Sequence, residues 1–539
     1  MARVPSSIPS HSEAYWIATC PGRHYPPLDG DREVDVVVVG GGITGITAAL
    51  LLQRAGKHVA VLEARRIAAG VTGHTTAHLT EALDARYATL VRDFGAEGAR
   101  LAAQASRAAI EQIAHLVDSK AIDCGWRRLP GYLYTEREAD LEALHLELEA
   151  AKSVGLMVDM TRDVPLPFPA RAALRFEDQA ELHVREYLFP LCDEIEQRGG
   201  LLFEGSRVID IEEDEPCRVV TERGTVRAQH VIVAANAPLN RILLQTKIAH
   251  YRSYALALRV SQPRLGGLFW DTDDPYHYLR SAPDEARRPG DTGSLLIVGG
   301  EDHKTGTDEH TQARFESLLA YANERFTVEE VGFRWSAQVV EPADGLPLIG
   351  KNAFASRVYV ATGYSGNGIT FGTAAGMLLC DQVLQRENPW SKLFDPGRIK
   401  PLASVKDFIA ENADVGLHMI GDRLRAPDAT HLREVGPGEG KIVRIHGRRL
   451  AVFRDPSGAL HALSPVCPHL GCQVHFNDAE KSWDCPCHGS RFGVEGEVLN
   501  GPAMRGLEPV VLGGFDEDEP EMRPIERAEG FSYLRRDPV

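Results

Sequence analysis

Long apolar runs are missing from this chain. None approaches the roughly 20 residues that a membrane-crossing helix needs, so no membrane span is expected. The opening MARVPSSIPSHSEAYW holds no apolar signal core and no twin arginine, so no export signal is expected. Cysteine is scarce, with nine in 539 residues. Five of them, Cys20, Cys124, Cys192, Cys217 and Cys380, stand singly. That scatter argues against a disulfide framework and suits a reducing compartment, so the cytoplasm is the expected location. Positive charge is also short: 59 Lys and Arg face 76 Asp and Glu, a net charge of −17. Such a surface repels a phosphate backbone, and nucleic acid is not an expected partner. No internal repeat, low-complexity tract, Ser-His-Asp arrangement or metalloprotease motif is visible.

What remains is an ordinary globular composition, 43% hydrophobic and 25% charged, in a chain long enough for more than one core. Asp35 to Val39 reads as a buried parallel strand, Ile43 to Ala55 as a helix, and Lys57 to Leu62 as a second strand ending at Glu63. Together they make one βαβ unit. Residues 81–120 and 136–153 carry helical periodicity. From about residue 200 the pattern turns to strands, with further β runs at 254–260, 276–280 and 294–299 and a helix over 311–325. Residues 356–362 read as a strand entering a Gly-rich loop and an apolar helix. Pro389, Pro396, Pro401 and Pro427 punctuate a stretch without periodicity, so 386–428 is expected to be a linker. Short β runs follow, and the C-terminal module, 429–525, is expected to be small and all-β.

Four cysteines gather near the C-terminus. The segment reads Cys467-Pro468-His469-Leu470-Gly471-Cys472, then Cys485-Pro486-Cys487-His488-Gly489-Ser490. Cys467 and His469 form a C-x-H pair, Cys485 and His488 a C-x-x-H pair, and fifteen residues separate the two. Two Cys and two His can also close a zinc site, but zinc modules usually leave two to four residues between paired ligands, whereas C-x-H leaves one. Each loop gives one Cys and one His, as in clusters where two thiolates hold one iron and two imidazoles the other. The pattern resembles the Rieske [2Fe–2S] family over about residues 430–525, and specifically the disulfide-bearing branch found in cytochrome bc complexes. The resemblance implies Cys467, His469, Cys485 and His488 as iron ligands and a Cys472–Cys487 bridge stapling the loops. Ser490 matches a family residue whose hydroxyl bonds a cluster sulfur. Phe492 stands where high-potential relatives carry Tyr and cannot donate, which implies a lower potential.

Near the other end, Gly40-Gly41-Gly42-Ile43-Thr44-Gly45 satisfies G-x-G-x-x-G between strand and helix, and Glu63 follows Gly45 by eighteen positions. Gly40 permits the tight turn, Gly42 lets backbone approach a pyrophosphate at the helix N-terminus, and Gly45 allows close helix–strand packing. Glu63 is placed to accept from ribose hydroxyls. Later segments decide between dinucleotides: Arg334-Trp335, Asp344-Gly345-Leu346-Pro347-Leu348-Ile349-Gly350, and Ala361-Thr362-Gly363-Tyr364-Ser365-Gly366-Asn367-Gly368. These resemble the D-amino-acid oxidase-like flavoproteins, the family of glycine oxidase, sarcosine oxidase and the dimethylglycine dehydrogenases, over about 33–385. The resemblance implies FAD held by segments near 33–80, 170–236 and 340–385, with a substrate domain interleaved at 81–169 and 237–339. Gly363, Gly366, Asn367, Gly368 and Ile369 map to the loop facing the flavin ring. Ile43, Thr44, Ala64 and Val208 are expected beside the dinucleotide. His74, in Gly70-Val71-Thr72-Gly73-His74, has a spacing similar to that of a flavin-linked His in dimethylglycine dehydrogenase-like relatives.

The expected architecture is therefore an α/β (α+β) FAD-binding Rossmann-like domain with an interleaved substrate domain, plus a small all-β Rieske domain. The combination resembles a set of bacterial fusion proteins, amine-oxidising flavin oxidoreductases with a Rieske tail. The implied reaction takes a hydride equivalent from a carbon beside the nitrogen of a small amine or amino acid, and passes electrons singly through the cluster to a one-electron acceptor protein or quinone. On the run Pro275–Arg280, alternation puts His277 and Leu279 on one face and Tyr276, Tyr278 and Arg280 on the other. Tyr278 and Arg280 are candidates to hold a substrate carboxylate, and His277 and His303 are further candidates in the site. The alternative, an NAD(P)H-driven reductase feeding a partner oxygenase, needs a second dinucleotide motif, which Gly299-Gly300 and Gly436-Pro437-Gly438 do not supply. A complete Rieske oxygenase needs a large iron domain, and only about fifty residues follow His488. The flavin and cluster sites are expected in separate modules, so that losing the cluster leaves FAD bound.

Overall fold

The computed structural model describes residues 8–239, 242–283, 293–352, 355–398, 426–445, 447–513 and 521–523. Two large sheets and a β module organise them. The first sheet runs in the order Leu348–Lys351, Val358–Thr362, Thr225–Val233, Arg32–Val39, Val59–Leu62, Leu201–Phe203. Its central strands are parallel, with Val36 opposite Val59 on one side and His230 on the other. A parallel strand is covered on both faces, which is why Val36–Val39 is an unbroken apolar run, at most 4% exposed. Helices Ile43–Arg54 and Gly368–Val383 pack together beside this sheet. Gly45 makes the close approach to the strand turn that its motif anticipates, since a Cβ there would stand 1.9 Å from the Gly40 carbonyl oxygen.

The second sheet is nine-stranded, ordered Val328–Pro342, Ile248–Val260, Ser294–Lys304, His277–Ala282, Leu268–Asp271, Arg127–Thr135, Ala172–Glu181, His78–Leu79, with Val158–Thr161 pairing to Ala172–Glu181. Its membership shifts one expected boundary: Ala172–Glu181 pairs with Arg127–Thr135, so the stretch 170–236 contributes a strand to the substrate-side sheet before it enters the dinucleotide domain. The periodicity at 81–120 becomes a helix only from Tyr87 to Lys120, bent where Gly95 takes φ 73°. Residues Glu81–Arg86 instead form a bend and a turn. The helix Val184–Gln197, capped by the His183 side chain, is an element that the sequence reading passed over.

The C-terminal module has a three-stranded sheet, Gly440–Ile445, Arg448–Arg454 and Leu460–Leu463, and a four-stranded one, His475–Asn477, Ser482–Asp484, Arg491–Phe492 and Val498–Asn500. Of the expected linker, 399–425 lies outside the described residues. The module is docked on the flavoprotein. Ala479 joins the apolar cluster around Tyr254, Phe315 and Leu318. Thr311 Oγ1 donates to Asn477 at 2.7 Å and accepts from the Ala479 N–H at 3.0 Å. Glu480, its side chain 11% exposed, lies 2.5 Å from Arg252 of the flavoprotein and 2.5 Å from Arg491 of its own module, and Arg491 also holds Asp484 at 2.9 Å.

Candidate active site and iron centre

One long cleft collects the predicted dinucleotide residues. It lies at the C-terminal edge of the parallel sheet and holds about 2000 Å³ of space, its mouth included. Gly40, Gly42, Ile43, Thr44, Glu63 and Ala64 line one end, His74 and Val208 its flank, and Gly366, Asn367, Gly368 and Ile369 the other end. Gly45 and Gly363 are not in the lining: Gly45 lies in the first turn of the helix Ile43–Arg54, and Gly363, at φ 76°, follows the strand Val358–Thr362. The Ile43 N–H donates to Thr72 Oγ1 at 3.1 Å, and Glu63 takes the Gly41 N–H at 2.8 Å and the Arg65 N–H at 2.9 Å, so the turn and its acidic residue are held together. Asn236 lines the cleft with its Nδ2 buried and without a hydrogen-bond partner among the described residues, the kind of orphan donor that a bound oxygen satisfies. The lining therefore fits FAD.

At the Gly366 end stand residues that the sequence reading missed. Asp84, open to the cleft, accepts from the Gly366 N–H at 2.5 Å, and desolvation by the protein crowded around the cleft raises its carboxyl above the ordinary range. Asn367 fixes this loop, donating to the Ala82 carbonyl at 3.1 Å and accepting from the Asp84 N–H at 3.2 Å. Tyr276, Tyr278, Ser253 and Trp270 complete the wall, with the Tyr278 and Ser253 hydroxyls 2.8 Å apart. Tyr364, in the loop before the helix Gly368–Val383, and Thr44, in the helix Ile43–Arg54, join hydroxyls at 3.0 Å.

Three predicted catalytic residues are not in this lining. Arg280 is 1% exposed and committed elsewhere: its NH1 donates to the Ala77 carbonyl at 2.7 Å and its Nε lies 3.3 Å from Glu181, with the guanidinium over Trp16. It braces the fold and does not present a fork to the cleft. His277 points to the other side of its strand, between Asp271 at 3.0 Å and Glu301 at 3.5 Å, stacked on Tyr321 at 3.9 Å. Burial alone would lower it, but the hydrogen bonds to those two carboxylates hold it up at about 9. His303 stacks on Tyr254, and burial pushes it down to about 4. Of the four, only Tyr278 reaches the cleft. His74 lines it, with Nδ1 2.9 Å from the Gly70 carbonyl and burial lowering its ring below the ordinary range.

The C-terminal module brings its four predicted ligands together. Cys467 and Cys485 share a hydrogen bond between their sulfurs, which holds Cys467 below the ordinary thiol range. The rings of His469 and His488 lie 5.0 Å apart at right angles. Burial and the neighbouring His469 push His488 down to about 4, the neutral state in which imidazole binds metal. His469 Nε2 and His488 Nδ1 are buried with no hydrogen-bond partner among the described residues. Two sulfurs and two orphan imidazole nitrogens form the donor set of a [2Fe–2S] cluster held by two Cys and two His, and the residues fit it. Cys472 and Cys487 form a disulfide with Cα atoms 6.5 Å apart, so their sulfurs are not ligands. Ser490 reaches Cys467 and accepts from the Ala503 N–H at 3.0 Å, whereas Phe492 is fully buried.

The two sites are not separate. Leu499, Asn500, Gly501, Ala503 and Met504 of the β module line the flavin cleft. Arg207 of the flavoprotein donates to the Val498 carbonyl at 2.9 Å. The expectation of independent modules is corrected by this shared wall.

Residues 35–382 match the FAD dependent oxidoreductase family and residues 427–511 the Rieske [2Fe-2S] domain. The chain belongs to the FAD dependent oxidoreductase family: it is an enzyme of that class, with FAD and a Rieske [2Fe–2S] cluster as cofactors. It is 36% identical over 504 residues to YhfW of Bacillus subtilis (strain 168), whose name describes it as a Rieske 2Fe-2S iron-sulfur protein, covering 93% of this chain and 98% of that one. It is 26% identical to gamma-glutamylputrescine oxidoreductase of Escherichia coli (strain K12) over 385 residues, 69% of this chain and 88% of that one. Glycine oxidase from Geobacillus kaustophilus superposes with a TM-score of 0.57 at 19% identity, over 68% of this chain and 99% of that one. Among the described residues no helix is long and apolar enough to cross a membrane.

Proposed function

We propose that the protein dehydrogenates a small amine at FAD and passes the electrons singly through its own cluster to an external one-electron acceptor, a protein or a quinone. The observation that carries this reading is the shared wall: residues Leu499–Met504 of the cluster-bearing module line the flavin cleft. When bound, FAD supplies a two-electron acceptor and the cluster a one-electron carrier. The residues at the Gly366 end favour an amine over an amino acid. Asp84 presents its carboxyl to the cleft, and the Tyr276 hydroxyl stands with it beside Gly366. The arginines of the described lining, Arg65 and Arg207, lie by Glu63 at the dinucleotide end. A substrate ammonium therefore meets an acceptor, whereas a carboxylate meets no guanidinium. The kinship with a relative named for gamma-glutamylputrescine points the same way. Asp84 is placed to orient the nitrogen and hold a proton, Trp270 to pack the carbon chain, and the Leu499–Met504 wall to keep water from the reacting carbon.

The test is an anaerobic screen of amines and amino acids for flavin bleaching. Alkyl amines and polyamine derivatives are expected to bleach it, with amino acids slower. Rapid bleaching by NADH and none by any amine would overturn the proposal.

A further inference from the structure

One side chain touches both sites. Gln338, on strand Val328–Pro342, is 2% exposed and lines the flavin cleft. Its Nε2 donates to the Gly489 carbonyl at 2.7 Å, one residue beyond the predicted iron ligand His488. It also lies 3.3 Å from Nδ1 of His250, which sits on the neighbouring strand and is 3% exposed. The contact is tight. Gly489 takes φ +67°, and a Cβ there would meet His250 Cβ at 2.4 Å and Gln338 Nε2 at 2.7 Å. The ligand loop is thus pressed by its backbone onto two flavoprotein side chains, and only glycine allows that approach.

We propose that Gln338, backed by His250, is the positioning residue for electron transfer inside this chain, and that electrons enter the cluster through the Cys485–Gly489 loop. The proposal rests on the reading that FAD reduces the cluster. Held in this cleft, FAD would supply two electrons one at a time, its protons going to solvent, and the cluster would carry each electron singly to an external one-electron acceptor. Gln338 is the direct hydrogen-bonded link between the cleft wall and the ligand loop. It fixes the distance and supplies the contact. Buried as it is, its amide has no competing water to pair with, so the geometry is held.

The experiment uses the full chain with both cofactors and delivers electrons by light-driven deazaflavin reduction, below one electron per protein. Redistribution between flavin and cluster is followed by absorbance, and the cluster by EPR. In Gln338→Leu, FAD and iron content should stay at the native level. Redistribution should slow about tenfold or more, the rate equivalent of a lost hydrogen-bonded contact. The EPR g-values should move, because the carbonyl beside His488 loses its donor. Gln338→Asn keeps the amide but is one methylene short, and should show the same two changes. It decides the matter if the leucine variant fails to hold its cofactors. Redistribution within twofold of native together with an unchanged EPR spectrum in the asparagine variant would overturn the proposal. Because light supplies the electrons, a failed amine screen would overturn the substrate reading while leaving this result intact.

Discussion

The two loops that carry the iron ligands are alike in sequence and unlike in surroundings. Around Cys467-Pro468-His469, Val466 is 47% exposed and Pro468 is exposed, with His469 half-buried. Around Cys485-Pro486-Cys487-His488, every residue is buried, and the loop is seated on His250, Gln338 and Gly306 of the flavoprotein. Ligand chemistry sets what the site holds, and the surroundings set which way it faces. One loop is the inner side of the cluster, toward the flavin cleft. The other is its outer side, toward solvent.

The largest way to break this asymmetry is Glu480→Gln. Glu480 is the anion between Arg252 and Arg491 where the module docks. Removing it leaves buried Arg252 without its carboxylate while Arg491 keeps Asp484, a loss of about 3–5 kcal/mol by denaturant unfolding. Hydrogen exchange at the Gly489 N–H should rise as the inner loop becomes as accessible as the outer one. Burial works against the Glu480 charge, but Arg252 and Arg491 outweigh it and hold its carboxyl down at about 2. Its contribution is therefore present above the ordinary Glu value of 4.5 and is lost as the pH falls through about 2. An acid titration of stability should show that loss in the native protein and lack it in the variant.

Cys472→Ser unties the two loops from each other without touching a ligand. The bridge spans a sequence separation of 15, for which chain entropy assigns about 3 kcal/mol. The cluster should still form and show its EPR signal, but lose iron faster to a chelator. Complete loss of iron from a folded variant would make Cys472 a ligand. A smaller effect is expected from Gly306→Val, which acts on the inner loop alone. Gly306 has φ +76°, and a Cβ there would lie 2.7 Å from the Pro486 nitrogen. The strain should cost about 1–3 kcal/mol and weaken FAD retention, since the displaced module also walls the cleft. The smallest effect belongs to the outer loop. Val466→Ser should change stability by less than about 0.5 kcal/mol and leave flavin-to-cluster transfer at the native rate.

Much of this was legible in the sequence, unevenly. The iron ligands were readable because each loop carries its pair within four residues, and such spacing survives any uncertainty about the rest of the chain. The Gly40–Gly45 turn was readable for the same reason. Arg280 was misread because alternation along a strand tells which side a residue faces but not what covers that side. Glu181 and Trp16, from distant stretches, cover it here. His277 was placed on the correct opposite face, but as a catalytic candidate it turns out to be a buried ion-paired ring. Asp84 fell inside a helical periodicity that begins only at Tyr87. Gln338 did leave a trace, an amide set among Ala337, Val339 and Val340 near the end of a strand. Its meaning depends on a module that follows nearly a hundred residues later, and no local pattern reports such a contact.

The central claim is that electrons run from substrate to FAD to cluster within one chain. Anaerobic rapid mixing of the full protein with an amine that bleaches its flavin tests this most directly, with absorbance at the flavin band and freeze-quench EPR on the same samples. The account predicts that flavin bleaching comes first and that the Rieske EPR signal grows as the flavin reoxidises. A cluster that is reduced before the flavin bleaches, or one that stays oxidised beside a fully reduced flavin, would contradict it.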